Sequence, residues 1–176
     1  ADQREELTVL SDNSLVDNLP TEIAQRAMLV RLAERIDIEC IVRGYVAGSA
    51  WAEYQKHGTI GGNPYPIGLQ EGEKLQRPCF TPTTKAEIGH DESMTNQQVQ
   101  SMVGQEMAST LEQKSIEVYQ YAHDYAMKHD IIIADTKMEF GLLNGELILI
   151  DELLTPDSSR FWDQRHYQPG RSQPNF

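Results

Sequence analysis

Cysteine and positive charge are scarce in this 176-residue chain, and long apolar runs are missing. Its two cysteines, Cys40 and Cys79, stand far apart and form no CxxC pair. That spacing argues against a disulfide framework and predicts buried thiols in a reducing compartment. Fifteen Lys and Arg against twenty-seven Asp and Glu leave a formal charge of -12. No general basic surface remains to follow nucleic-acid phosphates or anionic lipid, so neither nucleic acid nor a membrane is an expected partner. No stretch is apolar enough to span a bilayer, and the opening ADQREELTVL lacks the basic-then-apolar layout of a secretion signal. The expectation is a soluble, cytoplasmic protein. Neither a GxxxxGKS/T loop, a zinc-like Cys/His spacing, a GxSxG elbow nor a repeat of fixed period occurs, which removes the common P-loop, zinc, serine-hydrolase and solenoid readings.

What is present reads as one core, with 39% hydrophobic residues and a length suited to a single domain. Residues 1–25 form a poorly defined N-terminal segment, and 26–176 the domain proper. IDIECIVRGYV (36–46) alternates as a strand and runs into a turn; AGSAWAEYQKHG (47–58) follows as a helix that Ser49 is placed to cap and Gly58 to stop. Residues 59–92, rich in Gly, Pro and Thr, are too long for an idle loop. Thr95 and Gln98 form a capping-box pattern before one or two helices whose apolar face includes Val99, Met102, Leu111, Tyr119 and Tyr125. Lys128 and His129 are expected in the final helical turn. IIIADTKMEFG and ELILIDE, joined by Asn144-Gly145, predict a hairpin.

Because bases are few, their positions carry information. Asp135, Lys137 and Glu139 share one strand face. One account is a half-exposed strand with a solvated charge ladder; the other is a metal and phosphate site. A two-residue turn pairs Glu139 with Ile150 and sends Asp151 to the opposite face, so joint metal binding by both acids requires a different turn or a distortion nearby. Glu139 and Asp151 have the hard oxygens that magnesium takes, and Lys137 either neutralises a phosphate or relieves repulsion between Asp135 and Glu139. Arg43 and Ser49 in RGYVAGS suit a phosphate at a helix N-terminus, or make a cap and a surface ion pair. In TPDSSRFW, Arg160 offers a forked donor while Asp157 or Ser158 caps a short turn. Lys85, His90 and Asp91 in TKAEIGHDE either grip a polar substrate or make ordinary loop hydrogen bonds.

Taken in order, RGYVAGS, FTPTTKAEIGHDE, IIIADTKMEFG and DELLTPDSSRFW closely resemble the phosphoribosylaminoimidazole-succinocarboxamide synthase (SAICAR synthetase) family, from about residue 26 to the end. The resemblance implies an α+β fold, ATP-grasp-like, with an antiparallel sheet flanked by helices. It implies an ATP-dependent ligase of purine biosynthesis joining L-aspartate to carboxyaminoimidazole ribonucleotide (CAIR), with Mg2+ and with ATP as co-substrate. By motif, Glu139 and Asp151 match the metal ligands and Lys137 lies near the reacting phosphates. Arg43 and Ser49 match the grip on the ribonucleotide phosphate, Arg160 a substrate carboxylate contact, and Lys85, His90, Asp91 and Asp157 further substrate-binding positions. Nothing here matches the family's N-terminal glycine-rich, nucleotide-covering lobe, nor the segment that follows NF in the family. A partial chain is therefore expected, with activity of its own in doubt and room for a homo-oligomer. Two other functions stay open: a non-catalytic ribonucleotide-binding module, and a metal-dependent phosphohydrolase.

Overall fold

The strand announced by IIIADTKMEFG runs on to Leu143, and the rest of the sheet is arranged around it. The computed structural model describes residues 20–28, 30–85 and 92–176, in two units divided between Ala33 and Glu34. The first contains the short helix α1 (Thr21–Ala24), which opens after Pro20. The second, Glu34–Phe176, holds β1 (Glu34–Arg35), β2 (Ile38–Tyr45), helix α2 (Gly48–His57), β3 (Thr59–Ile60), β4 (Asn63–Pro64), β5 (Lys74–Phe80) and β6 (Thr83–Thr84). These are followed by α3 (Asn96–Val103), α4 (Gln105–Met127), β7 (Ile131–Leu143), β8 (Glu146–Ile150) and β9 (Ser159–Asp163).

Seven strands form one antiparallel sheet in the order β1-β7-β2-β5, with β6 also on β2 and β8 and β9 also on β7; β3 and β4 pair separately. The fold is thus α+β with helices against an antiparallel sheet, as expected. Besides four two-residue strands, two longer ones escaped the sequence reading. β5 lies inside the supposed long loop and carries Pro78, tolerable because the strand ends the path β1-β7-β2-β5 at the sheet edge. β9 lies in what read as a turn.

Helix ends follow the expected chemistry in part. Thr95 and Gln98 make a full capping box, and Gly58 ends α2 at φ 70°. Ser49 does not cap α2: Ala47 is the cap residue, without a side-chain hydrogen bond, and Ser49 lies one residue inside the helix. Lys128 and His129 fall beyond Met127, so the last turn of α4 has no basic residue.

The main core joins the sheet to α3 and α4 through Ile38, Cys40, Val42, Met138, Phe140, Val99, Leu111 and Tyr119. Cys40 is buried and Cys79 half-buried, both as free thiols, and burial pushes the Cys40 thiol up to about 12. A second cluster sets Tyr45, Ile132, Ala134 and Trp162 together, and a third packs Val46 and Ala50 against Ile60 and Leu75. Met102 and Tyr125, expected in the core, are 52% and 60% exposed. In β7 a bulge between Ile133 and Asp135 exchanges the faces of the strand: Ile133 before it and Met138 and Phe140 after it enter the same cluster.

At Gly44 a Cβ would stand 1.9 Å from Tyr119 Oη, which donates to the Ile133 carbonyl at 2.7 Å. Glycine is therefore needed here for space. Gly44→Ala should cost about 2–3 kcal/mol of stability, by overpacking and by loss of that hydrogen bond. In a Tyr119→Phe background, where the hydroxyl is gone, urea denaturation should show a smaller cost.

His123 is 3% exposed, its ring near those of Tyr45 and Tyr119, and its Nδ1 has no hydrogen-bond partner among the described residues. Burial lowers its pKa, Lys74 acting in the same direction and Ile133 and Asp124 against it. The unfolded chain then binds the proton more readily than the folded one, so stability from this site is present above about pH 6.5 and declines as pH falls below that value. Urea midpoints measured from pH 7.5 to 5 should show this decline, and His123→Phe should flatten it.

Candidate active site

Across three neighbouring strands the sheet register sets Arg43, Asp135 and Arg160 abreast, Arg43 of β2 pairing with Asp135 of β7 and Asp135 with Arg160 of β9. Asp135 Oδ2 accepts from Arg43 Nη1 at 3.3 Å and from Arg160 Nη1 at 2.5 Å. The bulge before Asp135 is what brings Arg160 there, since uninterrupted pairing from Ile133 and Phe161 would put Arg160 opposite Ala134. Arg43 is buried and each of its side-chain nitrogens has a partner: besides Asp135, its Nε donates to Thr81 Oγ1 at 2.9 Å and its Nη2 to Ser49 Oγ at 3.0 Å. Burial pulls the guanidinium pKa down and the Asp135 carboxylate opposes that pull.

Gly48 opens α2 with φ 55°, and a Cβ there would meet Arg160 Nη2 at 2.4 Å. The missing side chain lets the Arg160 guanidinium lie over the start of the helix. A cleft of about 310 Å³ results, lined by Arg43, Ser49, Asp135, Lys137, Asp157 and Arg160 among others. Two arginines, a lysine and a helix N-terminus on one cleft give a strongly acidic protein a local site for an anion. Thr155 and Ser158 exchange hydrogen bonds across the turn before β9, so it is Ser158, not Asp157, that secures that turn. A second cleft of about 520 Å³ shares Arg43 and Ser49 with the first and is lined by Glu39, Glu53, Lys56, His57, Thr81 and Thr83, among others. Its Glu53 carboxylate accepts from the Gly61 and Gly62 amides and Thr59 Oγ1; burial raises its pKa, but those bonds outweigh burial and hold it low.

The acids adjoin the first cleft. The hairpin takes the simple two-residue form, with Asn144 and Gly145 at φ 54° and 84° and Glu139 opposite Ile150. Strand geometry alone would then send Asp151 away from Glu139. Instead Asp151 has φ 59°, immediately after β8 ends, and the distortion lets both acids line one small pocket with Glu39, Lys137, Glu152 and Ser158. Lys137 and Ser158 also line the arginine cleft, so the two pockets are neighbours. The acids of the β7 charge ladder are not solvated: Asp135 is 4% and Glu139 8% exposed. Lys137 relieves charge across the sheet rather than along its own strand, with Nζ 3.5 Å from Glu39 Oε1.

Lys85 Nζ donates to Glu139 Oε1, and its pKa is raised by that hydrogen bond first, with Glu139, Asp151 and Glu39 charges adding to it. No three metal-ligating side chains converge among the described residues. A carboxylate pair is nevertheless a sufficient protein donor set for a magnesium ion that keeps several waters. His90 and Asp91 lie outside the described residues. The structure thus brings Arg43, Ser49, Lys137, Asp157 and Arg160 to one cleft, and Glu139 and Asp151 to its neighbour, with Lys85 bonded to Glu139. Asp135, Thr81, Gly48 and Glu39 were not among the sequence candidates. Asp135 was visible on the shared strand face, but its two partners are 92 and 25 positions away, where no local pattern shows them.

Asp135→Asn would leave two guanidiniums without their common carboxylate, and urea denaturation should show a loss of about 3 kcal/mol. Arg160→Met should cost less, because that side chain is 38% exposed and solvent already screens it.

The sheet and its paired pockets define an α+β protein with a basic cleft beside a small acidic pocket. A sequence model of the family described as SAICAR synthetase matches residues 6–176, and the chain belongs to that family. The phosphoribosylaminoimidazole-succinocarboxamide synthase of Maridesulfovibrio salexigens is 49% identical over 156 residues, covering 88% of this chain and 52% of that protein. That of Pichia angusta is 47% identical over 181 residues, covering 97% and 60%. Among solved structures, SAICAR synthase from Saccharomyces cerevisiae complexed with SAICAR superposes with a TM-score of 0.81 at 40% identity, over 93% of this chain and 56% of that one. A SAICAR synthetase (Type-2) in complex with ADP gives a TM-score of 0.65 at 27% identity, over 80% and 55%. The chain therefore spans little more than half the length of the relatives it matches.

Proposed function

We propose that this chain carries the substrate and metal portion of a phosphoribosylaminoimidazole-succinocarboxamide synthase, an ATP-dependent ligase of purine biosynthesis. The observation that carries the reading is Arg43 and Arg160 sharing Asp135 beside Lys137, in a cleft adjoining the Glu139 and Asp151 pocket. The family supports the ligase role, and the SAICAR and ADP complexes of the related structures support a ribonucleotide and an adenine nucleotide as ligands.

In this reading Arg43, fixed by Thr81, Ser49 and Asp135, and the start of α2 receive the phosphate of CAIR. Arg160 meets a substrate carboxylate, and Asp157, Lys85, His90 and Asp91 belong to the substrate site. A CAIR carboxylate oxygen attacks the terminal phosphorus of ATP, giving an acyl phosphate and ADP. The aspartate amine then attacks the acyl carbon, phosphate leaves, and the amine proton is lost as the amide forms. Lys137 at the junction of the pockets stabilises charge on the transferring phosphoryl group. Glu139 and Asp151 would hold Mg2+, whose charge neutralises phosphate oxygens. Much of the rate would come from holding the reactants together, which is what a cleft of rigidly paired side chains provides.

Titration of the chain with SAICAR should show binding that Arg43→Met weakens at least about 30-fold, the scale expected when a buried charged hydrogen-bond partner is removed. Mg-ATP titration and an ADP-release assay complete the test. ADP release that requires L-aspartate supports the ligase. Ribonucleotide binding without ATP binding favours the non-catalytic module, and phosphate release without aspartate favours the phosphohydrolase.

A further inference from the structure

Glu139 is buried, and a buried carboxylate needs a positive partner. That partner is Lys85. Its ammonium donates to Glu139 Oε1 from a backbone position one residue past β6, a strand held to β2 by the pairs Ile38 with Thr84 and Glu39 with Thr83. The charge of Lys85 also acts on Asp151 and Glu39, the two other acids facing it from elements packed around the pocket. Lys137, the second lysine at this pocket, is directed to Glu39 instead. One ammonium therefore sits on the carboxylate that the proposed function gives to a divalent cation.

We propose that Lys85 is a tethered counter-ion of the Glu139 and Asp151 pair, which a divalent cation displaces on binding, and that the displaced ammonium then serves an anionic substrate group. This rests on the ligase reading for the use of the cation. An ammonium and a divalent cation cannot share one carboxylate oxygen at close range without strong mutual repulsion. The lysine side chain is 28% exposed and has a flexible four-carbon stem, so its ammonium can swing away while the backbone stays in place. Cation loading thereby frees a positive group at the edge of the substrate site, and the metal binds ahead of the anion that Lys85 receives.

The test titrates the 176-residue chain with Mn2+ or Mg2+ alone by calorimetry, comparing wild type with Lys85→Met, Lys85→Arg and Glu139→Gln. Lys85→Met should bind the cation about tenfold more tightly, Lys85→Arg should not, and Glu139→Gln should lose binding. A second readout needs no variant: acylation of Lys85 in the wild-type chain, followed by mass spectrometry, should rise when Mg2+ is added and the ion pair opens. Equal or weaker cation binding by Lys85→Met, or labelling of Lys85 indifferent to Mg2+, overturns the proposal. If the wild type still binds cation through Glu139 in that event, the ligase reading survives it. If the wild type binds no cation at all, the metal assignment falls and this proposal falls with it.

Discussion

One carboxylate oxygen, Asp135 Oδ2, accepts from two guanidinium groups that belong to strands on either side of it. Both arginines of the cleft are oriented through that contact. Arg43 is almost completely buried, a place where an arginine persists only with partners for its charge, and Asp135, Thr81 and Ser49 each take one of its nitrogens. Arg160 shares the same anchor and leans over the start of α2, where only a glycine leaves it room. The sheet register is the physical device here, because it decides which side chains lie abreast, and the bulge in β7 adjusts that register by one residue at the point where the arginines must meet.

The same strand distributes three kinds of chemistry along one face. Asp135 orders the arginines, Lys137 stands at the junction of two pockets, and Glu139 belongs to the acid pocket with Asp151. Two residues of strand rise about 7 Å, a spacing that keeps the paired arginines and the acid pocket adjacent without overlap. A long, rigid strand hydrogen-bonded to neighbours on both sides holds these separations better than a loop could, and catalysis by positioning depends on such fixed separations.

Much of this was legible in the sequence where the signals are local. The hairpin follows from Asn144 and Gly145, the capping box from Thr95 and Gln98, and the ordered motifs pointed to the family that the comparisons show. Signals that depend on distant partners were not legible. β5 reads as loop because a proline and charges are acceptable on an edge strand, and β9 reads as a turn because the turn closed by Thr155 and Ser158 runs straight into it. Ser49 looked like a cap because capping and arginine binding use the same hydroxyl, and only the fold shows Arg43 at that oxygen. Asp135 looked like one rung of a solvated ladder because nothing near it in sequence reveals the two arginines that bury it.

Asp151 joins backbone geometry to side-chain chemistry at a single position. Its left-handed φ of 59° is a conformation that aspartate and asparagine accept more readily than other residues bearing a Cβ, and the proposed role as a cation ligand would require the carboxylate. Of the twenty side chains, only aspartate answers both demands. Glutamate would preserve the charge while resisting the bend, and asparagine would preserve the bend while discarding the charge. The hairpin's departure from strand geometry thus narrows the acceptable alphabet at this site to one letter.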